Sequence, residues 1–388
     1  MTSIRLPVPE RQLELFTMPR PQHYDTARPG DTLARRVLAA AHVVADPLAD
    51  NSPWTETAVD FDATLRFREH LWSLGLGVAE VMDTAQRGMG LSWADAKVIA
   101  AHSLKAARGR PDAVIYVGVG TDHLPPTEAT LDTITRAYLE QIDTIQSLDG
   151  RMIVMASRAL ARSATSPRDF ADVYRRILGA ADKPVILHWL GPMFDPALDG
   201  YWGSKSLSSA MDHCLDVLAE NAAKIEGIKI SLLDKQLEID MRRRLPANVR
   251  MYTGDDYNYP ELIAGDGGHT SDALLGIFDP IAPVASAALK ALTRSGESEF
   301  RRLLDPTVAM SREIFKAPTW FYKTGVVLIA YLAGHQNHFA MLGGQQSARP
   351  VIHLARVFRL GAELGLYPDP DMAAHRFVRV LAVHGIEQ

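Results

Sequence analysis

The chain is predicted to be an α/β protein, a (β/α)8 TIM barrel with an N-terminal extension and a C-terminal helical region. Three observations predict it. Short apolar runs rich in Val, Ile, Leu and Ala alternate with longer amphipathic stretches, the pattern of βα units around a parallel sheet. The first six runs begin about 30 to 40 residues apart, the length of one βαβ repeat after another, and the seventh follows about 20 residues later. There are eight runs, the number that closes a barrel.

Residues 1–35 form the extension: prolines at 7, 9, 19, 21 and 29 and no sustained period predict an irregular or hairpin-like segment. Residues 36–278 hold the barrel. Its predicted strands are Val37–Val44, Gly77–Met82, Ala113–Val117, Met152–Ala156, Pro184–His188, Gly227–Ser231, Asn248–Thr253 and a weak Leu262–Gly265. The intervening helices are Asp62–Leu74, Ser92–Arg108, Thr127–Leu148, Pro167–Gly179, Ser206–Lys224 and Leu233–Arg244. Ser92 and Ser166 each precede an acid by three residues, close to a capping box, and Pro167 suits the first helical position. In residues 279–388 the alternation stops, and Pro280–Ser295, Glu297–Ile314, Thr319–Leu332 and Pro350–Gly365 read as helices.

The 388 residues, 47% apolar and 22% charged, are ample for a large core and exclude disordered and fibrous classes. A formal charge of -5 gives no electrostatic reason to expect nucleic acid or an anionic membrane as partner. No run approaches the roughly 18 apolar residues of a spanning helix, and the N-terminus is too charged for a signal peptide. A single cysteine, Cys214, can form neither an internal disulfide nor a thiolate metal cage, so a reducing, cytoplasmic setting is expected.

In a parallel barrel the reactive groups gather at the carboxyl ends of strands. Those positions carry Asp83, Thr84, Ser157, Arg158, His188, Lys229, Asp255 and Asp256, with Gly268, His269 and Ser271 after the expected eighth strand. Lys229 is the most informative. Flanked by Ile228 and Ile230, it faces the barrel interior if the isoleucines face the helices. Desolvation there lowers an ammonium pKa and yields the free amine that attacks a carbonyl to form a Schiff base. The structural alternative is an ion pair with Asp255 or Asp256 one strand away.

These residues carry a resemblance. Gly227-Ile-Lys, then Thr253-Gly-Asp-Asp, then Ala264-Gly-Asp-Gly-Gly-His-Thr-Ser resemble, in order and spacing, segments of the dihydrodipicolinate synthase and N-acetylneuraminate lyase family of class I aldolases. Val117-Gly-Val-Gly-Thr and Pro184-Val-Ile-Leu-His add weaker matches, and the likeness runs from about Val37 to Gly365. It implies a barrel with C-terminal helices, Lys229 as the Schiff-base residue, no organic cofactor, and a homo-oligomer. Two departures stand out. Where the family has Gly-Thr-Thr-Gly-Glu, this chain has Asp83-Thr-Ala-Gln-Arg, keeping only Thr84; an acid at 83 would repel a keto-acid carboxylate unless Arg87 compensates. Where the family has a proton-shuttling tyrosine, Met155-Ala-Ser-Arg-Ala has none.

His188 is the replacement candidate, since it ends the strand beside Lys229 and titrates near neutrality, as a general acid or base should. Trp189 is a candidate pocket wall. The expected site therefore comprises Lys229 and His188 as catalytic residues, with Asp83, Thr84, Arg158, Asp255, Asp256, Gly268 and His269 binding a small carbonyl substrate, a keto acid or sugar-derived compound. No metal is expected. The rival uses of the same strand ends are metal-assisted isomerase, epimerase or hydrolase chemistry through Glu80, Asp83, His188, Asp255, Asp256 and His269, and a non-catalytic barrel that binds a sugar acid. His335 and His338, three apart on an expected helix, read as surface or interface histidines, and Arg242-Arg-Arg as a solvated face.

Overall fold

In the computed structural model, which describes residues 2–125, 127 and 129–388, the chain divides into two compact units. One comprises Arg35–Ala41 and Gly77–Gly276, the other Met1–Ala34, His42–Leu76 and Ile277–Gln388.

The first unit contains a closed parallel barrel of β3 (Val37–Ala40), β4 (Gly77–Glu80), β5 (Ile115–Val119), β6 (Arg151–Met155), β7 (Val185–Leu190), β8 (Ile225–Ser231), β9 (Arg250–Thr253) and β10 (Asp272–Leu275). The strands follow in chain order, and β10 pairs with β3 to close the ring. The expected (β/α)8 architecture with a C-terminal helical region is the one observed. Leu38, Tyr116, Ile153, Ile186, Tyr252 and Leu274 interdigitate as an apolar inner layer, as barrel interiors require. Toward the amino ends of the strands, the Glu226 carboxylate accepts from the Tyr116 and Tyr252 hydroxyls (2.7 and 2.9 Å) and pairs with Arg36 at 2.6 Å and Arg151 at 3.3 Å. That network satisfies a charge that would otherwise be costly to place there.

Seven expected strands are present within a few residues; the eighth is elsewhere. Leu262–Gly265 is not a strand: Tyr259–Ala264 is a short buried helix, with Pro260 in its first turn where the missing amide costs nothing. The last barrel strand is Asp272–Leu275, whose leading carboxylate accepts from Arg36 N at 2.8 Å and Arg250 Nε at 2.5 Å. A short apolar run does not by itself distinguish a buried helix from a strand.

Ser92 and Ser166 cap their helices as expected; Ser92 Oγ accepts from Asp95 N at 3.2 Å, and Pro167 opens Pro167–Ala180. The helix expected at Thr127–Leu148 spans Leu131–Ser147, because Thr130 and Thr133 form the capping box; Glu128 lies outside the described residues. Arg242 is not solvated: it is buried, donating to the Leu262 carbonyl at 3.0 Å and pairing with Asp266 at 2.7 Å, while Arg243 and Arg244 pair with Asp266 and Asp212.

In the second unit, residues 2–34 open with an antiparallel hairpin, β1 (Ser3–Val8) and β2 (Gln12–Thr17). The stretch expected as Glu297–Ile314 breaks into Glu297–Leu304 and Val308–Ile314 at Asp305-Pro306, where proline lacks the amide that would continue the ladder. His335 and His338 lie beyond the end of the helix Tyr322–Ala333. His335 is half-buried rather than fully exposed; its ring packs on His70 (4.4 Å) and Phe67 (5.1 Å), and burial beside His70 and His42 pushes its pKa down to about 3. No helix among the described residues is long and apolar enough to cross a membrane.

Candidate active site

Strand alternation decides which side chains reach the barrel interior. Register pairs Ile186 with Gly227 and His188 with Lys229, so the parity that sends Ile186 inward also sends His188 and Lys229 there. Trp189 faces the other way and meets Trp202 edge-on at 6.4 Å, so it does not line the pocket. Ser231, two residues beyond Lys229, shares the inward face.

Glycine makes room for the lysine. A Cβ at Gly254 would stand 2.6 Å from Lys229 Cε, 2.3 Å from Ser231 Oγ and 2.6 Å from the Ile230 carbonyl oxygen. The Gly-Asp-Asp segment after β9 therefore leaves the space in which the aliphatic stem of Lys229 lies. Lys229 is 7% exposed, yet its ammonium makes no hydrogen bond or ion pair with any other described residue. Burial lowers its pKa below the usual lysine value, an effect partly opposed by the carboxylates of Asp256 and Asp83.

His188 is 1% exposed. Its Nε2 is 3.2 Å from Ser231 Oγ; its Nδ1 is buried without a hydrogen-bond partner and lies 4.0 Å from Asp83 Oδ2. Burial first, and the neighbouring Lys229 second, hold its pKa well below the ordinary histidine value, so the ring is neutral at pH 7. The near-neutral titration expected of His188 is therefore not met, because burial disfavours the charged ring; the neutral imidazole still offers one donor and one acceptor nitrogen.

A cavity of roughly 130 Å³ opens at the carboxyl ends of β4 to β7. Asp83, Arg158 and His188 are on its wall, together with Ser157, Thr121 and Asp195. Lys229 is not on that wall, although its strand neighbour His188 is. Arg158 enters from the helix Arg158–Ser163 and is oriented by an Nε to Asp195 bond of 2.5 Å. Ser157 caps that helix by accepting from Leu160 N at 3.0 Å, sits 2.6 Å from Thr121 Oγ1, and its amide donates to the Tyr201 hydroxyl at 3.2 Å. Thus a phenol does approach the end of β6, from Tyr201 rather than from the strand.

The other expected residues are distributed differently. Asp255 is committed to a turn, accepting from Tyr257 N (2.8 Å), Asn258 N (3.0 Å) and Asn258 Nδ2 (2.8 Å). Thr84 is buried in the turn Asp83–Ala85, and Arg87, the expected counter-charge to Asp83, is instead held by Asp122, Gln141 and the carbonyls of Val81 and Gly118. Gly268 and His269 are not brought to the cavity. They belong to a turn in which Asp266 and His269 exchange backbone hydrogen bonds (2.8 and 2.7 Å), and that turn precedes β10, at the amino rather than the carboxyl end of the last strand. No cluster of three or more His, Cys, Asp or Glu side chains suited to hold a metal is present among the described residues.

The expected list lacked Ser231, Tyr201 and Asp195. Period-two alternation from Lys229 reaches Ser231, so it was recoverable; Tyr201 and Asp195 come from a loop after β7 and carry no periodic signal.

The chain belongs to the family described as Protein of unknown function (DUF993), whose profile matches residues 4–386. No curated protein matches it in sequence. Its fold is shared with solved structures. Dihydrodipicolinate synthase from Bacillus clausii is 14% identical with a TM-score of 0.62, over 84% of this chain and 97% of that one. The Aquifex aeolicus dihydrodipicolinate synthase is 13% identical with a TM-score of 0.59, over 90% and 98%. CdNal from Clostridium difficile, in complex with mannosamine, is 16% identical with a TM-score of 0.60, over 85% and 98%. The resemblance read from the strand motifs is thus met at the level of the fold.

Proposed function

We propose that this protein is a carbon–carbon lyase or aldolase that acts on a small keto acid or sugar-derived carbonyl compound through a Schiff base on Lys229. One observation carries the reading. An inward-facing lysine, buried beside a neutral histidine, makes no hydrogen bond with any other described residue, and its pKa is lowered. Structural lysines at such depth are paired; a nucleophilic one must be left available. The shared fold with aldolase-family structures is consistent with this chemistry.

The free amine of Lys229 adds to the substrate carbonyl carbon, and the oxygen leaves as water after protonation. The resulting iminium draws the electron pair of an adjacent C–C or C–H bond toward nitrogen, and hydrolysis later returns the amine. His188, with Nδ1 unpartnered and Nε2 beside Ser231, moves the protons. The free Nη groups of Arg158 at the cavity wall supply a cation for a substrate carboxylate, a role Arg87 cannot take because its guanidinium is already engaged.

The test is borohydride reduction in the presence of keto acids and keto sugars, followed by mass measurement of the chain and of the peptide holding Lys229. A reduced adduct on Lys229 is the expected result. Its absence with every carbonyl compound overturns the Schiff-base reading and leaves the metal-assisted and sugar-acid-binding readings.

A further inference from the structure

We propose that the N-terminal hairpin is an assembly element through which β2 pairs antiparallel with β2 of a second copy of this chain, joining two hairpins into one four-stranded sheet. The hairpin register pairs Ser3 with Thr17, Arg5 with Leu15 and Pro7 with Leu13. Met18 N donates to Thr2 O at 2.9 Å, which makes the even positions the hydrogen-bonded pairs. The odd positions therefore direct their N–H and C=O groups away from the partner strand, toward the two outer edges.

Those edges are treated differently. On β1, Pro7 has no N–H, and both polar groups of Arg5 are taken by the Gln388 carboxamide: Arg5 N donates to Oε1 at 2.7 Å, and Nε2 donates to Arg5 O at 3.1 Å. On β2, the outward amides and carbonyls of Leu13, Leu15 and Thr17 meet no other element among the described residues. Leu13 is 43% and Leu15 67% exposed. Exposed edges normally carry a charge, a proline or a bulge that discourages pairing. Here the edge is regular, its outward positions are Leu13, Leu15 and Thr17, and the one carboxylate on the strand, Glu14, is paired with Arg359.

The hairpin is also fixed in place. Phe16, on its opposite face, meets Phe358 edge-on at 6.2 Å and lies under the Arg359 guanidinium, which pairs with Glu14 at 3.0 Å. A rigid open edge presents its hydrogen bonds without an ordering cost on association.

The strand is self-complementary in one register. Centred on Leu15, a two-fold axis sets Leu15 against its own copy and Leu13 against Thr17, so about six backbone hydrogen bonds form. Glu14 then stands opposite Phe16. The next symmetric register, centred on Glu14, opposes two carboxylates and is disfavoured.

Analytical ultracentrifugation of the full chain at micromolar concentration tests this. The expected wild-type mass is twice the 42.7 kDa of the chain, or a larger even multiple. Leu15→Pro removes one outward N–H, as Pro7 does on β1, so the hairpin is retained and the assembly mass halves. Leu15→Lys does the same by charge and carries the test if the proline variant fails to fold. Leu15→Cys oxidises to a covalent dimer, since hydrogen-bonded cross-strand Cα atoms sit about 5.5 Å apart, within disulfide reach, whereas Glu14→Cys does not. A monomeric wild type, or an unchanged mass in the folded Leu15 variants, overturns the proposal.

Discussion

Replacing Lys229 by methionine separates a lysine placed for chemistry from one placed for structure. Methionine keeps the length of the stem and its place beside Gly254, and removes only the charge. The alternatives predict opposite signs. An unpaired buried charge bears its desolvation cost alone, so an apolar side chain of similar volume is stabilising there, on the scale of the about 1–4 kcal/mol gained when buried ion pairs are replaced by apolar residues, whereas removing one partner of a true buried ion pair costs about 3–5 kcal/mol. No carboxylate oxygen lies within 4.0 Å of the Lys229 ammonium among the described residues, so the first case applies. For 388 residues unfolding together, the melting entropy is about 0.8 kcal/mol/K, and the expected rise in Tm is about 1–5 °C. The pH dependence gives a second check. The folded pKa of Lys229 is depressed, so the unfolded chain binds the extra proton and wild-type stability rises as pH approaches 10.5. The advantage of Lys229→Met is therefore largest at neutral pH and shrinks toward pH 10. Urea titration at both pH values, with borohydride trapping alongside, reads both quantities. A loss of 3 kcal/mol or more in Lys229→Met refutes the reasoning and makes the lysine a structural cation.

His188→Phe is expected to lower turnover by about 10²–10⁴ while the trapped adduct on Lys229 persists; unchanged turnover clears His188 of proton transfer. Gly254→Ala drives a methyl against Lys229 Cε and the immovable Ile230 carbonyl, so adduct formation should fall at least about tenfold and stability by about 1–3 kcal/mol, measured by trapping and urea midpoint. Glu238 is buried, and its pKa is pushed up to about 8 mainly by desolvation, with Ser271 Oγ donating at 2.6 Å. Its folded pKa exceeds the unfolded 4.5, so the folded state holds the proton and stability declines as pH rises from about 4.5 through about 8. Glu238→Gln should flatten that decline and be the more stable variant at pH 9 by a few kcal/mol at most, each pH unit being worth about 1.4 kcal/mol; a steeper decline in the variant contradicts this.

Much of the barrel was legible because parallel strands buried on both faces read as continuous apolar runs between amphipathic helices. The eighth strand was not, since Asp272-Ala-Leu-Leu opens with a carboxylate whose two arginine partners are far apart in sequence, and the nearby Leu262-Ile-Ala run is the more apolar. That single displacement moved Gly268 and His269 from the mouth of the barrel to its opposite end. The inward placement of Lys229 was legible from alternation, and the position of His188 from its place at a strand end. The commitment of Arg87 to Asp122 and of Asp255 to the Asn258 turn was not, because side-chain partners across loops leave no periodic trace.

Those commitments bear on the chemistry of the site. Around the carboxyl ends of the strands nearly every charged group is consumed by the fold: Arg87 by Asp122 and Gln141, Asp255 by Asn258, Asp195 by Arg158. The Lys229 amine and His188 Nδ1 are two groups without a hydrogen-bond partner among the described residues, and they belong to register partners on adjacent strands. Buried polar groups without partners cost stability, and a fold that satisfies their neighbours could have satisfied these with one nearby carboxamide or hydroxyl. Ser231 shows how little is needed: it reaches Nε2 of the same imidazole at 3.2 Å. An available amine and an available imidazole nitrogen at two adjacent inward positions, beside a cavity with an oriented arginine, are the arrangement expected where a substrate's carbonyl and carboxylate complete the hydrogen-bonding.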